Sequence, residues 1–178
     1  MNYYKKRILL AEVDKNDNVV GKIERWEAHK KGILHRGVTT AIFYKDYIIC
    51  QHRKHPVFNG YLDLTFSTHP FFEKEKLVDM EEAINLSLKR EWNINKSDLL
   101  YKPEYKGKVY YYSPQKDAKY IEHEVCHLYI SKVRSLPKVN FEYSYGFSLL
   151  TISDLKSLSP VKAFLAPWVW EFFRKRLL

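Results

Sequence analysis

Cysteine is scarce in this chain, with only Cys50 and Cys126 among 178 residues. Two such distant cysteines give neither a disulfide framework nor a zinc-finger spacing. Glycine (6) and proline (7) are also sparse, which excludes collagen-like and low-complexity architectures. No apolar run approaches the roughly 20 residues of a membrane span, and the first residues carry no apolar signal region. The expectation is a reduced, cytoplasmic protein with no membrane partner. Acidic residues are in the minority, 21 against 30 Lys and Arg, for a net charge of +9. Such an excess points to an anionic partner. The cations are scattered, with short clusters at Lys5 to Arg7, His52 to His55 and Arg174 to Arg176. A scattered charge reads as a solvated surface, so nucleic acid is disfavoured and a phosphorylated small molecule favoured.

What is present is a core. A hydrophobic content of 46% and an aromatic content of 16% exclude disorder, and the length suits one domain spanning residues 1–178. Residues 7–13 and 19–23 flank the turn cluster Asp14 to Asn18 and read as a hairpin. Glu24 to Lys31 makes one or two helical turns before Gly32. Residues 37–43 and 47–51, split by Lys45-Asp46, read as a second hairpin, followed by a loop over 52–60. Leu77 to Trp92 repeats Met80, Ile84 and Leu88 at helical spacing, with acids first and bases last. Val109 to Tyr112 and Val125 to Val133 are strand-like. Ser153 to Leu158 and Pro167 to Leu178 read as closing helices, the latter amphipathic. Strands mixed with a few helices predict a layered α/β fold. Nothing in the pattern sets an oligomeric state.

Among the chemistry-bearing residues, His29, His35 and His69 precede a pair of carboxylates, Glu122 and Glu124. Two residues apart on a strand, both carboxylates face the same side. Three imidazoles and two carboxylates make a mixed N/O set suited to zinc, manganese or another divalent ion. A solvated strand edge with surface histidines is the competing explanation.

Five segments occur in a suggestive order: Arg25-Trp26-Glu27-Ala28-His29, Leu34-His35-Arg36-Gly37, Ser67-Thr68-His69-Pro70, Glu122-His123-Glu124-Val125-Cys126 and Pro167-Trp168. Together the series resembles type I isopentenyl-diphosphate isomerase, a branch of the Nudix superfamily, over nearly the whole chain. The resemblance implies a Nudix α/β/α sandwich with a mixed sheet. It implies a divalent metal (Mn, Zn or Mg) at His29, His35, His69, Glu122 and Glu124. It also implies a magnesium ion shared between Glu91 and the diphosphate of a small-molecule substrate. Tyr112 falls where the family places an active-site tyrosine. Trp168 falls where an aromatic π face stabilises a carbocation, although packing on an amphipathic helix is an equally ordinary role for it. The implied reaction moves a double bond, with one acid/base group on each side of the substrate. Glu124 is one of them, and the other position holds Ser67.

That serine is the main departure from the family, which has cysteine there. A thiol ionises near pH 8.5, roughly, whereas an alcohol ionises several units higher. Isomerase activity is therefore expected to be much reduced or absent. Two further differences concern phosphate chemistry. The Nudix hydrolase helix carries an Arg-Glu and a Glu-Glu pair; aligning on Glu91 puts Leu86-Ser87 at the first and Arg90-Glu91 at the second, and the alternative register through Glu82 puts Ile94-Asn95 at the second carboxylate pair. For the diphosphate, Arg25 keeps a basic position, whereas the loop from Gln51 to His55 offers Arg53 and Lys54 in an uncertain register. Three readings remain open: an attenuated isomerase-type enzyme, a divergent Nudix hydrolase acting on another diphosphate, and a non-catalytic metal- or diphosphate-binding homologue.

Overall fold

The computed structural model describes residues 3–116, 119–157 and 164–178. The first hairpin pairs β1 (Leu9–Val13) with β2 (Val19–Glu24), and α1 (Arg25–Lys31) follows at once. The second hairpin joins β3 (His35–Tyr44) to β4 (Tyr47–Arg53) through Lys45, whose φ of 55° makes the tight turn. After a long connection come β5 (Phe66–Thr68) and a small separate hairpin, β6 (Phe72–Glu73) with β7 (Lys76–Leu77). The central helix α2 (Met80–Trp92) starts three residues later than predicted. Asp79 caps it, accepting from the Glu82 amide, and Leu77 belongs to the small hairpin instead.

Two long antiparallel strands follow, β8 (Glu104–Pro114) and β9 (Ile121–Val133), then β10 (Ser144–Leu150). The short α3 covers Ile152–Ser157 and starts one residue earlier than the predicted segment, whose last residue, Leu158, lies outside the described residues. The terminal helix α4 (Pro167–Arg174) ends four residues before the predicted Leu178; its last turn is closed by the Lys175 amide on Glu171. Proline at its first position suits a helix start, where no amide hydrogen is needed.

All the strands but β6 and β7 form one mixed sheet built around β3, which pairs with β1, β4, β5 and β9. Only the β3–β9 pairing is parallel, with His35 opposite Glu124. Alternation along β4 separates the two faces. Ile49 joins Ile84, Leu88 and Trp92 of α2, while Ile48 and Cys50 join Trp168, Val169 and Phe172 of α4. Helices therefore cover both faces, giving the predicted α/β/α sandwich. Each fully buried large side chain, such as Trp92, Leu88 or Phe172, contributes about 1.5–3 kcal/mol of burial.

Candidate active site

The cavity opens where β4, β5, β8 and β9 meet α1, α2 and α4. Helix α1 is held at both ends: Glu24 accepts from the amides of Trp26 and Glu27, and Gly32 closes the last turn at φ 63°. Four residues apart on this helix, Arg25 and His29 share a face, and both are buried. His35 opens β3, and its Nδ1 lies 2.7 Å from the Ile33 carbonyl oxygen. Because a carbonyl only accepts, Nδ1 carries the proton and Nε2 presents a bare lone pair. The ring centroids of His29, His35 and His69 lie 4.9 to 5.3 Å apart.

Glu122 and Glu124 complete this wall from β9. His29 Nδ1 is 3.6 Å from Glu122 Oε2, His35 Nε2 is 3.5 Å from Glu124 Oε1, and His69 Nε2 is 2.8 Å from the same oxygen. One ligating atom from each of His29, His35, His69 and Glu122 falls within 4.8 Å of the others. Among the described residues, both ring nitrogens of His29, Nε2 of His35 and Oε2 of Glu122 are buried without a hydrogen bond. Buried polar atoms left unpaired in this way are rare and costly, and a divalent cation would satisfy three of them, one nitrogen of His29, Nε2 of His35 and Oε2 of Glu122, while the other nitrogen of the neutral His29 ring carries its proton. The donor set fits such an ion.

The electrostatics follow from burial and crowding. Burial, then the neighbouring Glu124 charge, pushes the Glu122 carboxyl well above the usual carboxylate range. Burial also opposes ionisation of Glu124, but the His35 and His69 rings beside it hold its carboxyl well below that range. Burial and the other two imidazoles drive His29 well below an ordinary histidine. Gly37 makes room for this arrangement. A Cβ at that position would lie 2.1 Å from Glu124 Oε2, so any side chain there displaces the carboxylate.

The tyrosine beside Glu124 is Tyr111, not the predicted Tyr112. In the β8–β9 register Tyr111 sits opposite Glu124, and its hydroxyl donates to Glu124 Oε2 at 2.7 Å. Tyr112 points to the other face, 54% exposed, with its ring against His123. A one-residue step reverses side-chain direction on a strand. Burial and the Glu124 charge raise the Tyr111 hydroxyl well above an ordinary tyrosine.

The cations also sort differently from the predicted set. Lys54 is exposed, and its Nζ donates to the Phe141 carbonyl, outside the cavity. A lysine next to a strand end alternates outward when its neighbour Arg53 turns in. Arg53 is buried and donates to Asp63 Oδ2 at 2.6 Å, with its guanidinium 4.9 Å from the Trp168 ring. Arg25 donates to the carbonyls of Tyr3, Tyr4 and Lys6, and Tyr3 and Tyr4 form part of the cavity roof. Arg90, not singled out in the sequence, supplies a third guanidinium, bonded to Glu91 Oε1 at 2.6 Å and stacked 3.9 Å over the Tyr3 ring. The Nε atoms of Arg25, Arg53 and Arg90 are buried with no hydrogen-bond partner among the described residues. Glu91 faces the cavity from α2, with its second oxygen accepting from Gln51. Ser67 and Trp168 line the same space.

A comparison with known proteins fits this geometry. The chain is 31% identical over 166 residues to isopentenyl-diphosphate delta-isomerase 1 of Photorhabdus laumondii, covering 88% of this chain and 87% of that protein. The chain belongs to the isopentenyl-diphosphate isomerase family. The isomerase of Pectobacterium atrosepticum is 28% identical over 146 residues, covering 80% and 76% of the two chains. No protein-family profile matches. Among solved structures, a Deinococcus radiodurans protein superposes with a TM-score of 0.69 at 18% identity, covering 94% and 98% of the chains. A MutT Nudix hydrolase from Burkholderia pseudomallei gives 0.50 at 19% identity, covering 68% and 85%. The fold is thus that of the Nudix proteins, as a branch of that superfamily should have.

Proposed function

We propose that this protein is a metal-dependent isomerase of isopentenyl diphosphate or a closely related isoprenoid diphosphate, attenuated by the serine at position 67. One observation carries the reading. His69, Glu122 and Glu124 line one cavity with Arg25, Arg53 and Arg90; the unpartnered ring nitrogens of His29 and His35 cluster with His69 and Glu122, and the buried Nε donors of the three guanidiniums are also unpartnered. The first group suits a divalent cation and the second suits an anionic phosphate. His29, His35, His69, Glu122 and Glu124 would hold the resident ion (Mn, Zn or Mg), and Glu91 would share a magnesium ion with the diphosphate. Bound there, these cations would fix ligand geometry and offset the negative charge of substrate and carboxylates.

The chain's own residues do the rest. Arg25 and Arg90 bind the diphosphate, and the Arg53 charge adds to the positive field. Glu124, oriented by Tyr111, is one acid/base group and Ser67 is the other. Between them the Trp168 ring offers its π face to the tertiary cation formed when the double bond is protonated. Hydrolysis of another diphosphate is the second reading, favoured by Glu91 standing on the central helix of a Nudix fold. Glu81 and Glu82, the other carboxylates of α2, are exposed and lie a full helix length from Glu91. The hydrolytic reading thus has a single helix carboxylate at the cavity.

The test is direct assay of the metal-loaded protein with isopentenyl diphosphate, beside Ser67→Cys. The expected result is slow formation of the dimethylallyl isomer by the natural protein and at least about tenfold faster turnover by Ser67→Cys, because a thiol is the better proton shuttle. No turnover by either protein, with metal retained in both, overturns the isomerase reading. Release of phosphate or a monophosphate from isoprenoid or nucleoside diphosphates establishes the hydrolytic one.

A further inference from the structure

Asp63 belongs to none of the motifs above, yet it is fully buried in the connection between β4 and β5. Its carboxylate accepts four hydrogen bonds. Arg53 Nη1 reaches Oδ2 at 2.6 Å and Ser67 Oγ reaches it at 2.8 Å, while Trp168 Nε1 and the Leu64 amide reach Oδ1 at 2.8 Å each. Three of these donors come from residues that line the cavity, and they arrive from three different elements, β4, β5 and α4. One carboxylate thereby fixes the second acid/base residue, the aromatic wall and a cation at once.

The direction of the hydrogen bonds matters most at Ser67. A carboxylate acceptor takes the only hydroxyl hydrogen that serine has. Thr39 Oγ1, 2.9 Å from Ser67 Oγ, must then donate to it, and the Cys126 thiol, 3.3 Å further on, donates to Thr39. The chain of donors runs from Cys126 through Thr39 and Ser67 and ends at Asp63. Ser67 keeps one lone pair for the cavity and has no hydrogen to offer there.

We propose that Asp63 is the positioning residue that makes Ser67 a proton acceptor toward the substrate, in place of the family's cysteine. This rests on the isomerase reading. In the deprotonating half of the reaction, the C–H bond beside the tertiary cationic carbon breaks and its electron pair becomes the new double bond. The proton goes to Ser67 Oγ as the serine's own hydrogen passes to Asp63, and both are returned by the reverse shift and release to water after product leaves. A hydrogen next to a carbocation is acidic enough for a hydroxyl oxygen to take it, so no ionised thiol is required for this half. The opposite half, protonation of the alkene, falls to the metal-side carboxylates.

The experiment is a two-by-two comparison of Asp63→Asn in the natural and Ser67→Cys backgrounds, followed with isopentenyl diphosphate in D2O so that deuterium uptake and isomerisation are read together. In the natural background Asp63→Asn should lower kcat by at least about 100-fold, the lower range of a general acid–base contribution, with KM nearly unchanged. In the Ser67→Cys background the loss should be at least about tenfold smaller, because a thiol depends less on a fixed acceptor. Equal losses in both backgrounds overturn the proposal and leave Asp63 a structural residue. Because Asp63→Asn strands Arg53, the paired variant Asp63→Asn with Arg53→Gln repeats the comparison if the single variant fails to fold. A separate reading needs no turnover. The Trp168 indole N–H resonance, assigned by its loss in Trp168→Phe, should move upfield in Asp63→Asn. An unmoved resonance overturns the Asp63 contacts. If the natural protein and Ser67→Cys are both inactive, the isomerase reading and the catalytic role fall together, and the indole resonance alone decides whether Asp63 organises this wall.

Discussion

On the metal side of the cavity, His29, His35 and Glu122 turn buried ligating atoms toward one another and leave them without partners. On the other side, Asp63 is buried just as deeply, and both of its oxygens are filled by Arg53, Ser67, Trp168 and a backbone amide. Equal burial with opposite satisfaction separates two kinds of polar cluster. A buried network complete in itself stabilises and orients. A cluster of matched ligand atoms without partners suits something from outside the chain, and the donors of His29, His35 and Glu122, beside His69 and Glu124, are of the kinds that suit a divalent cation. The two sides should therefore respond differently to substitution: the first through metal, the second through rate and stability.

The largest expected effect comes from Gly37→Ala. The backbone there is ordinary strand, so no conformational penalty applies, but the new methyl would overlap Glu124 Oε2. Glu124 must leave its place, and with it one carboxylate of the ion site. Metal retained after dialysis, measured by elemental analysis, should fall to background while circular dichroism still reports a folded sheet. A Gly37→Ala protein that keeps a full metal complement would show that Glu124 is not needed to hold the ion.

A smaller effect is expected from Tyr111→Phe. Its hydroxyl supports Glu124 at 2.7 Å without belonging to the ligand set. Removing an outer support of this kind weakens metal affinity about 10–100-fold. Competition against a chelator measures this, and Tyr112→Phe is the matched control, since that ring is half out in solvent. Equal affinities for the two variants would remove Tyr111 from the site.

These residues also mark how far the sequence could be read. The hairpin β3–β4 was legible because β-branched and apolar runs flank Lys45-Asp46, and α2 because Met80, Ile84 and Leu88 keep a helical period. The histidines and glutamates of the metal side were legible because five short segments hold them in a familiar order. Counting along β8 was not enough to separate Tyr111 from Tyr112, since a single residue of slip changes the face and both neighbours are tyrosines. Lys54 and Arg90 were exchanged for a related reason: charge alone does not say which cation is buried. The helical spacing of Ser87 and Glu91, both buried, was the available signal that Arg90 lies at the cavity edge. Asp63 carried no signal in the sequence. Its four partners lie 1, 4, 10 and 105 residues away, and the last of these contacts exists only once α4 has packed.

Trp168→Phe tests the independence of the two sides, and its expected effect on metal is nil. The substitution keeps an aromatic ring on α4 but deletes the indole N–H that reaches Asp63 Oδ1 at 2.8 Å. Asp63 keeps its other three donors, so the loss is one hydrogen bond to a charged group, about 1.5–3 kcal/mol, plus the smaller ring's incomplete filling of a fully buried position. Urea unfolding of the metal-free protein should show that decrease in stability, and metal titration of the same variant should give the natural affinity. The contrast with Tyr111→Phe is then sharp, because the rings of Tyr111 and Trp168 lie only 5.9 Å apart and yet report to different sides. If Trp168→Phe weakens metal binding as strongly as Tyr111→Phe does, the cavity behaves as one coupled network and the division between its two sides fails.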